Sequence, residues 1–143
     1  MSFLKDLEGS IKSVENAVAL LKKDGFEVLT TRGNYHFDII ATSNNKTFTV
    51  EVKSHPLSRK TNNIAYEIFN IDTQKPSGIM SSPADYWVDE YVNNEETTAK
   101  KVETKLLKTY IGNLLKLGKA RLTVGGDGNR IILVIVPIKE ITW

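Results

Sequence analysis

Asp38, Glu51 and Lys53 fall within one stretch of the chain, His36 to Lys53, whose pattern is that of a β-hairpin. Asn44-Asn45 lies at its centre, and asparagine tolerates the left-handed backbone that two-residue hairpin loops require. A loop there sets Ser43 against Lys46, Ala41 against Phe48, Ile39 against Val50 and Phe37 against Val52. Between them fall Ile40 opposite Thr49, Asp38 opposite Glu51 and His36 opposite Lys53. Because strand side chains alternate, Phe37, Ile39, Ala41, Phe48, Val50 and Val52 form an apolar face, and His36, Asp38, Glu51 and Lys53 cluster on the other. Opposed residues have Cβ atoms about 4.5–5.5 Å apart, where like charges destabilise the pair. A divalent cation between Asp38 and Glu51 removes that conflict, and carboxylate oxygens suit Mg²⁺ or Mn²⁺. Lys53 would hold or deprotonate a water beside the metal. The competing reading is a half-exposed hairpin with solvated charges, and a register slip of one residue would send Asp38 and Glu51 to opposite faces.

The elements that must position this cluster follow from the rest of the chain. Residues 2–24 carry Leu4, Leu7, Ile11, Val14, Val18 and Leu21 at helical spacing, with Lys22 and Lys23 in the last turn and Gly25 as the stop. Glu8 and Glu15 sit on one rim of that stripe. Phe26–Thr31 is a short strand, and Arg32-Gly33-Asn34 a loop into the hairpin. The polar segment Ser54–Asn63, with Pro56 and Arg59-Lys60, reads as a mobile basic loop, suited to a phosphate backbone or merely to solubility. Ile64–Ile71 is a strand holding Glu67 between Tyr66 and Phe69, either a further site carboxylate or an exposed edge residue. A turn at Asp72–Pro76 and a short helical turn at Ser81–Asp85 precede a strand at Tyr86–Val92. Glu95–Leu117 is a second helix, with Val102, Leu106, Leu107, Tyr110, Ile111, Leu114 and Leu115 in period and its lysines on a solvated face. Arg121–Val124 and Ile131–Val136 are strands joined by a glycine-rich hairpin loop. The fold class is α/β (α+β), with a central mixed β-sheet flanked by helices.

Totals set the outer bounds. The 143 residues fit a single domain with a real core, and 41% hydrophobic and 25% charged residues describe an ordinary globular chain. A net charge of +2 neither demands nor excludes nucleic acid, so a binding surface must come from local clustering. Cysteine is absent, which excludes disulfide and thiol chemistry. No apolar run reaches membrane-spanning length, and the mixed charge of the N-terminus is unlike a signal peptide. A soluble, cytoplasmic protein without a membrane partner is the expectation.

Asp38, twelve intervening residues, and then Glu51-Val52-Lys53 resemble the signature of the PD-(D/E)XK nuclease superfamily. The likeness extends through Asp38-Ile39-Ile40-Ala41 and through a helix that places Glu15 ten residues before Gly25-Phe26. In that order the chain is similar to archaeal-type Holliday junction resolvases and to small endonuclease-like proteins of phages. Asn63-Ile64-Ala65-Tyr66-Glu67, Pro76-Ser77-Gly78-Ile79 and Ala84-Asp85-Tyr86-Trp87 look like stretches of the phage-type members. Phe37 stands where the family often has proline.

The resemblance implies a restriction-endonuclease-like core over residues 1–143 and a metal-dependent DNA endonuclease that hydrolyses phosphodiesters; so short a chain leaves little room for a separate sequence-reading domain, which favours selectivity for DNA structure. It implies Mg²⁺, with Mn²⁺ as substitute, bound by Asp38, Glu51 and the backbone carbonyl of Val52. Glu15 would hold the metal through water, Lys53 would activate the attacking water, and Glu67 is the candidate to support a second ion. The implied partner is DNA, branched or double-stranded, and small resolvase-like nucleases often act as homodimers. The alternatives are a non-catalytic nucleic-acid-binding module that keeps the fold, and a structural or protein-interaction domain.

Overall fold

The computed structural model describes residues 3–31 and 38–143, with the side chains of 3–10 and of 127 outside the description. His36, Phe37 and the loop at 32–34 therefore lie outside the described residues, as does the side chain of Glu8. The chain folds as a mixed α/β protein. Helix α1 (Phe3–Lys23) leads into β1 (Glu27–Thr30), β2 (Ile39–Ser43) and β3 (Lys46–His55). A one-turn helix α2 (Ser58–Thr61) follows, then β4 (Asn63–Asn70), β5 (Lys75–Pro76) and a 3-10 turn at Gly78–Met80. Strands β6 (Tyr86–Asn93) and β7 (Glu96–Glu103), helix α3 (Thr104–Lys116), and strands β8 (Arg121–Gly125) and β9 (Ile131–Pro137) complete it.

Two sheets result. The larger runs β1-β2-β3-β6-β7, antiparallel except for the parallel pair β3–β6, and the smaller is antiparallel in the order β5-β4-β9-β8. The hairpin register holds: Ser43 pairs with Lys46, Ala41 with Phe48, Ile40 with Thr49 and Ile39 with Val50. Asn44 and Asn45 take φ of 52° and 62°, the left-handed pair that matches the twist of the flanking strands. Parallel strands need a long crossover, usually helical. Here the connection from β3 to β6 detours through α2 and β4, and so threads the second sheet between two strands of the first.

Each face of the larger sheet is covered. Ala17 and Leu21 of α1 pack on Ile39, Ala41, Val50 and Val88. Glu90 of β6 fastens the helix by accepting from Ser13 Oγ at 2.9 Å and Asn16 Nδ2 at 2.6 Å. On the opposite face Trp87, Tyr91 and Val102 meet Ile64, Tyr66, Val134 and Val136 of the smaller sheet and Leu107, Ile111 and Leu114 of α3. Among the described residues no helix is long and apolar enough to cross a membrane.

Three sequence expectations are corrected. The helix expected over 95–117 is a strand, β7, followed by α3. Residues 96–101 bring no apolar stripe, and β7 instead pairs along the whole of β6, from Asn93–Glu96 to Tyr86–Glu103. Val102 fits a helical period only by coincidence of spacing; its partners are those of a strand, as context overrides local preference. The segment at 54–63 is not an open loop: β3 continues to His55, and Ser58 is buried, its hydroxyl donating to the His55 carbonyl at 2.7 Å and accepting from Val92 N–H at 2.9 Å. The short turn falls at Gly78–Met80 rather than over 81–85, where Asp85 instead clamps β6 to β3 by accepting from the amide of Thr49 at 2.8 Å.

The β6–β7 turn, Asn94-Glu95, holds both residues at positive φ, 50° and 67°. Left-handed backbone costs a side-chain-bearing residue about 1–2 kcal/mol, more than the 0.4–1 kcal/mol or so that glycine loses through its freer unfolded state. Glu95→Gly therefore stabilises the protein by about 0.5–1 kcal/mol in chemical denaturation. In a helix the same change would destabilise it by a similar amount.

Candidate active site

Alternation along β3 puts Glu51, Lys53 and His55 on the face turned toward the smaller sheet, since Val50 on the other face packs under α1. Their parallel neighbours on β6 are Trp87, Asp89 and Tyr91. A cleft of about 460 Å³ opens there, lined by Glu51, Lys53 and His55 from β3, by Tyr66 and Glu67 from β4, and by the chain from Gly78 to Pro83. Lys53 Nζ lies 3.4 Å from Glu51 Oε1. The lysine side chain is 48% exposed, so the pair contributes at most about 1 kcal/mol and the cleft does not depend on it for stability.

Asp38 stands one step beyond the last paired residues of the hairpin, Ile39 and Val50. Its amide donates to the Val50 carbonyl at 2.9 Å, and its Oδ2 accepts from the Val52 amide at 2.8 Å. The carboxylate is thus anchored on the backbone of β3 next to Glu51. That amide offsets part of the negative charge of Asp38 without any cation.

Glu67 reaches the cleft from a bulge in β4, where the pairing with β9 shifts between Glu67 and Phe69. Gly78 is what lets the neighbouring turn close on it. It has φ +56°, and a Cβ there would lie 2.2 Å from the Glu67 carbonyl oxygen. Glu15 is placed elsewhere. Ser13, Ala17 and Leu21 are buried on α1, and at about 100° per residue Glu15 is turned to the far side of the helix from Ser13 and Ala17. It is exposed and lines a separate cavity with Ile11, Val14, Val18 and Thr31. Glu51, Lys53 and Glu67 are therefore brought to one cleft, Asp38 to the strand beside them, and Glu15 to neither.

Among the described residues no three acidic or histidine side chains converge as a ready-made metal cage. Mg²⁺ rarely needs one: it keeps several waters and is held by one or two carboxylates together with substrate phosphate. Glu51, Asp38, Glu67 and the Val52 carbonyl offer only oxygen donors, a ligand type that suits Mg²⁺ or Mn²⁺ better than a thiophilic ion.

The groups behind the cleft were not among the residues singled out in the sequence. Asp89 is buried and accepts three hydrogen bonds, from Tyr66 Oη at 2.5 Å, His55 Nε2 at 2.7 Å and Trp87 Nε1 at 2.9 Å. Burial, and then the charge of Asp89 and its hydrogen bond, push the Tyr66 hydroxyl far above the usual tyrosine range. Two signals were present in the chain: Glu51-x-Lys53-x-His55 continues one strand face, and Trp87-x-Asp89 puts a carboxylate beside an indole on an otherwise apolar one.

Compared with protein-family models, with curated proteins and with solved structures, the chain matches none.

Two outcomes follow from this geometry. Gly78→Ala lowers stability by at least about 1–3 kcal/mol in urea, because positive φ and the clash with Glu67 act together. Tyr66→Phe costs about 1.5–3 kcal/mol at neutral pH by leaving Asp89 one donor short. It also changes the alkaline limb. A hydroxyl raised on folding favours the native state below the unfolded tyrosine value near 10, and this stabilisation drains away as pH climbs beyond it. Denaturation midpoints between about pH 8 and 11 fall more steeply for the wild type than for Tyr66→Phe.

Proposed function

We propose that this protein is a metal-dependent DNA endonuclease, soluble and cytoplasmic, that hydrolyses phosphodiester bonds and selects substrates by structure, as a resolvase of branched DNA does. The observation that carries the reading is the convergence of Glu51, Lys53 and Glu67, from strands of two sheets, on one open cleft with Asp38 fixed to the same strand. The resemblance to the PD-(D/E)XK superfamily supports it through the same residues.

In this reading Glu51, Asp38 and the Val52 carbonyl hold Mg²⁺, with Glu67 across the cleft. Bound there, the ion would polarise the scissile phosphate and lower the pKa of a coordinated water. Lys53 contributes an ammonium that can turn from Glu51 to a phosphate oxygen or to the attacking water, since it is already within 3.4 Å of the acid. Cations continue beyond the cleft: Lys105 and Lys108 line the adjoining cavity past Ser82 and Pro83. These lysines fit phosphate contacts that carry affinity without sequence preference.

A second reading, a module that binds nucleic acid without cutting it, draws on the existing Lys53–Glu51 pair, which satisfies the acid with no ion present. Incubation with plasmid and four-way-junction DNA in Mg²⁺ or Mn²⁺ decides between them. The nuclease reading expects cleavage abolished by EDTA and reduced about 100-fold or more by Glu51→Gln or Lys53→Ala, with DNA affinity in Ca²⁺ retained. Intact DNA under every metal, with binding preserved, leaves the second reading standing.

A further inference from the structure

At the end of the cleft beyond Lys53, the last residue of β3 meets three cavities at once: His55 lines the cleft itself and two adjoining hollows, one containing Arg59 and the other Arg121. Its ring does not float. Nε2 is 2.7 Å from Asp89 Oδ1, and the ring sits edge-on to Tyr66 with centroids 5.8 Å apart. A carboxylate is an acceptor, so the nitrogen facing Asp89 carries the proton, and Nδ1 is the atom left over. Among the described residues Nδ1 has no hydrogen-bond partner. Charges of both signs surround it: Glu51 and Glu67 share the cleft, and Glu90 shares the hollow that holds Arg59. Arg59 and Arg121 are exposed and, among the described residues, form no ion pair, and Lys53 lies two residues back on the same face. Three of the four acids nearby are engaged, Glu90 with Ser13 and Asn16, Asp89 with its three donors and Glu51 with Lys53, and Glu67 stands on the opposite wall of the cleft.

We infer that His55, Arg59 and Arg121 form a phosphate-binding station for the nucleic-acid backbone at the end of the carboxylate cleft, in which buried Asp89 fixes the imidazole so that Nδ1–H can be offered to a phosphate oxygen. The chemistry requires one proton taken up from solvent at Nδ1 when the phosphate arrives, leaving an imidazolium between Asp89 and the phosphodiester. The inference rests on the nucleic-acid half of the proposed function and is independent of whether the DNA is cut.

The test is imidazole ¹⁵N spectroscopy of the wild-type protein in Ca²⁺, titrated with a short duplex, with four-way-junction DNA and, separately, with inorganic phosphate. The chain has two histidines, so a His36→Gln variant completes the assignment. The expected result is that saturating DNA moves the His55 Nδ1 resonance to the protonated position, and that Arg59→Ala, Arg121→Ala or His55→Gln each lowers the slope of log affinity against log salt by about 0.9. DNA that binds while Nδ1 stays unmoved overturns the station and leaves the nuclease reading intact. A resonance that moves on DNA binding without any cleavage in Mg²⁺ upholds the station and removes the nuclease reading instead. Movement with inorganic phosphate but not with DNA, or no DNA binding at all, overturns the backbone assignment.

Discussion

The structure turns on one buried carboxylate. Asp89 sits on β6, accepts from Tyr66 on β4 of the other sheet, and also holds His55 at the end of β3 and Trp87 on its own strand. Two sheets that shared only apolar contacts could slide against each other, since apolar packing is nondirectional. A charge-assisted hydrogen bond of 2.5 Å between them fixes their relative position. Removing any one donor leaves a buried acceptor short, so the group is held by all of its partners or strained by the lack of one.

The cleft is a by-product of the same junction. Because β3 and β6 run parallel, the chain between them must leave the sheet and return, and it spends the detour building β4 and the turn at Gly78. One wall of the cleft is therefore the larger sheet and the other is the crossover itself. Glu51 and Lys53 stand on the first wall and Glu67 on the second, which is why acids distant in sequence share one space.

What the sequence made legible was whatever a local rule governs. Asn44-Asn45 set the hairpin register residue by residue, and the stripe from Ile11 to Leu21 announced α1, because turn chemistry and periodicity need no distant partner. The rest depended on partners the chain does not announce. Glu96–Glu103 became a strand because the edge of β6 was available to it. Pro56 drew attention to a break, yet β3 runs on to His55 and so keeps that ring in the site. Glu15 sat on the rim of the helical stripe, but Glu90 captures Ser13 and Asn16 and so sets the helix rotation that turns it outward. Asp89 was hidden for a further reason: the first of two adjacent acids in Tyr-Trp-Val-Asp-Glu-Tyr-Val is ordinary until the hydroxyl, indole and imidazole that surround it are known.

Strand β9 gives the fold a timing problem. Its run Ile131-Ile132-Leu133-Val134-Ile135-Val136 holds no charge, and it lies between β4, far upstream, and β8, just before it. Until β9 emerges during synthesis, β4 lacks its main hydrogen-bonding neighbour. The larger sheet has no such wait, because all its strands precede α3. Non-local pairings of this sort form slowly and leave apolar edges open to aggregation in the interval. A holding chaperone that shields the unpaired segments during that interval would raise the yield of native protein without altering its final stability.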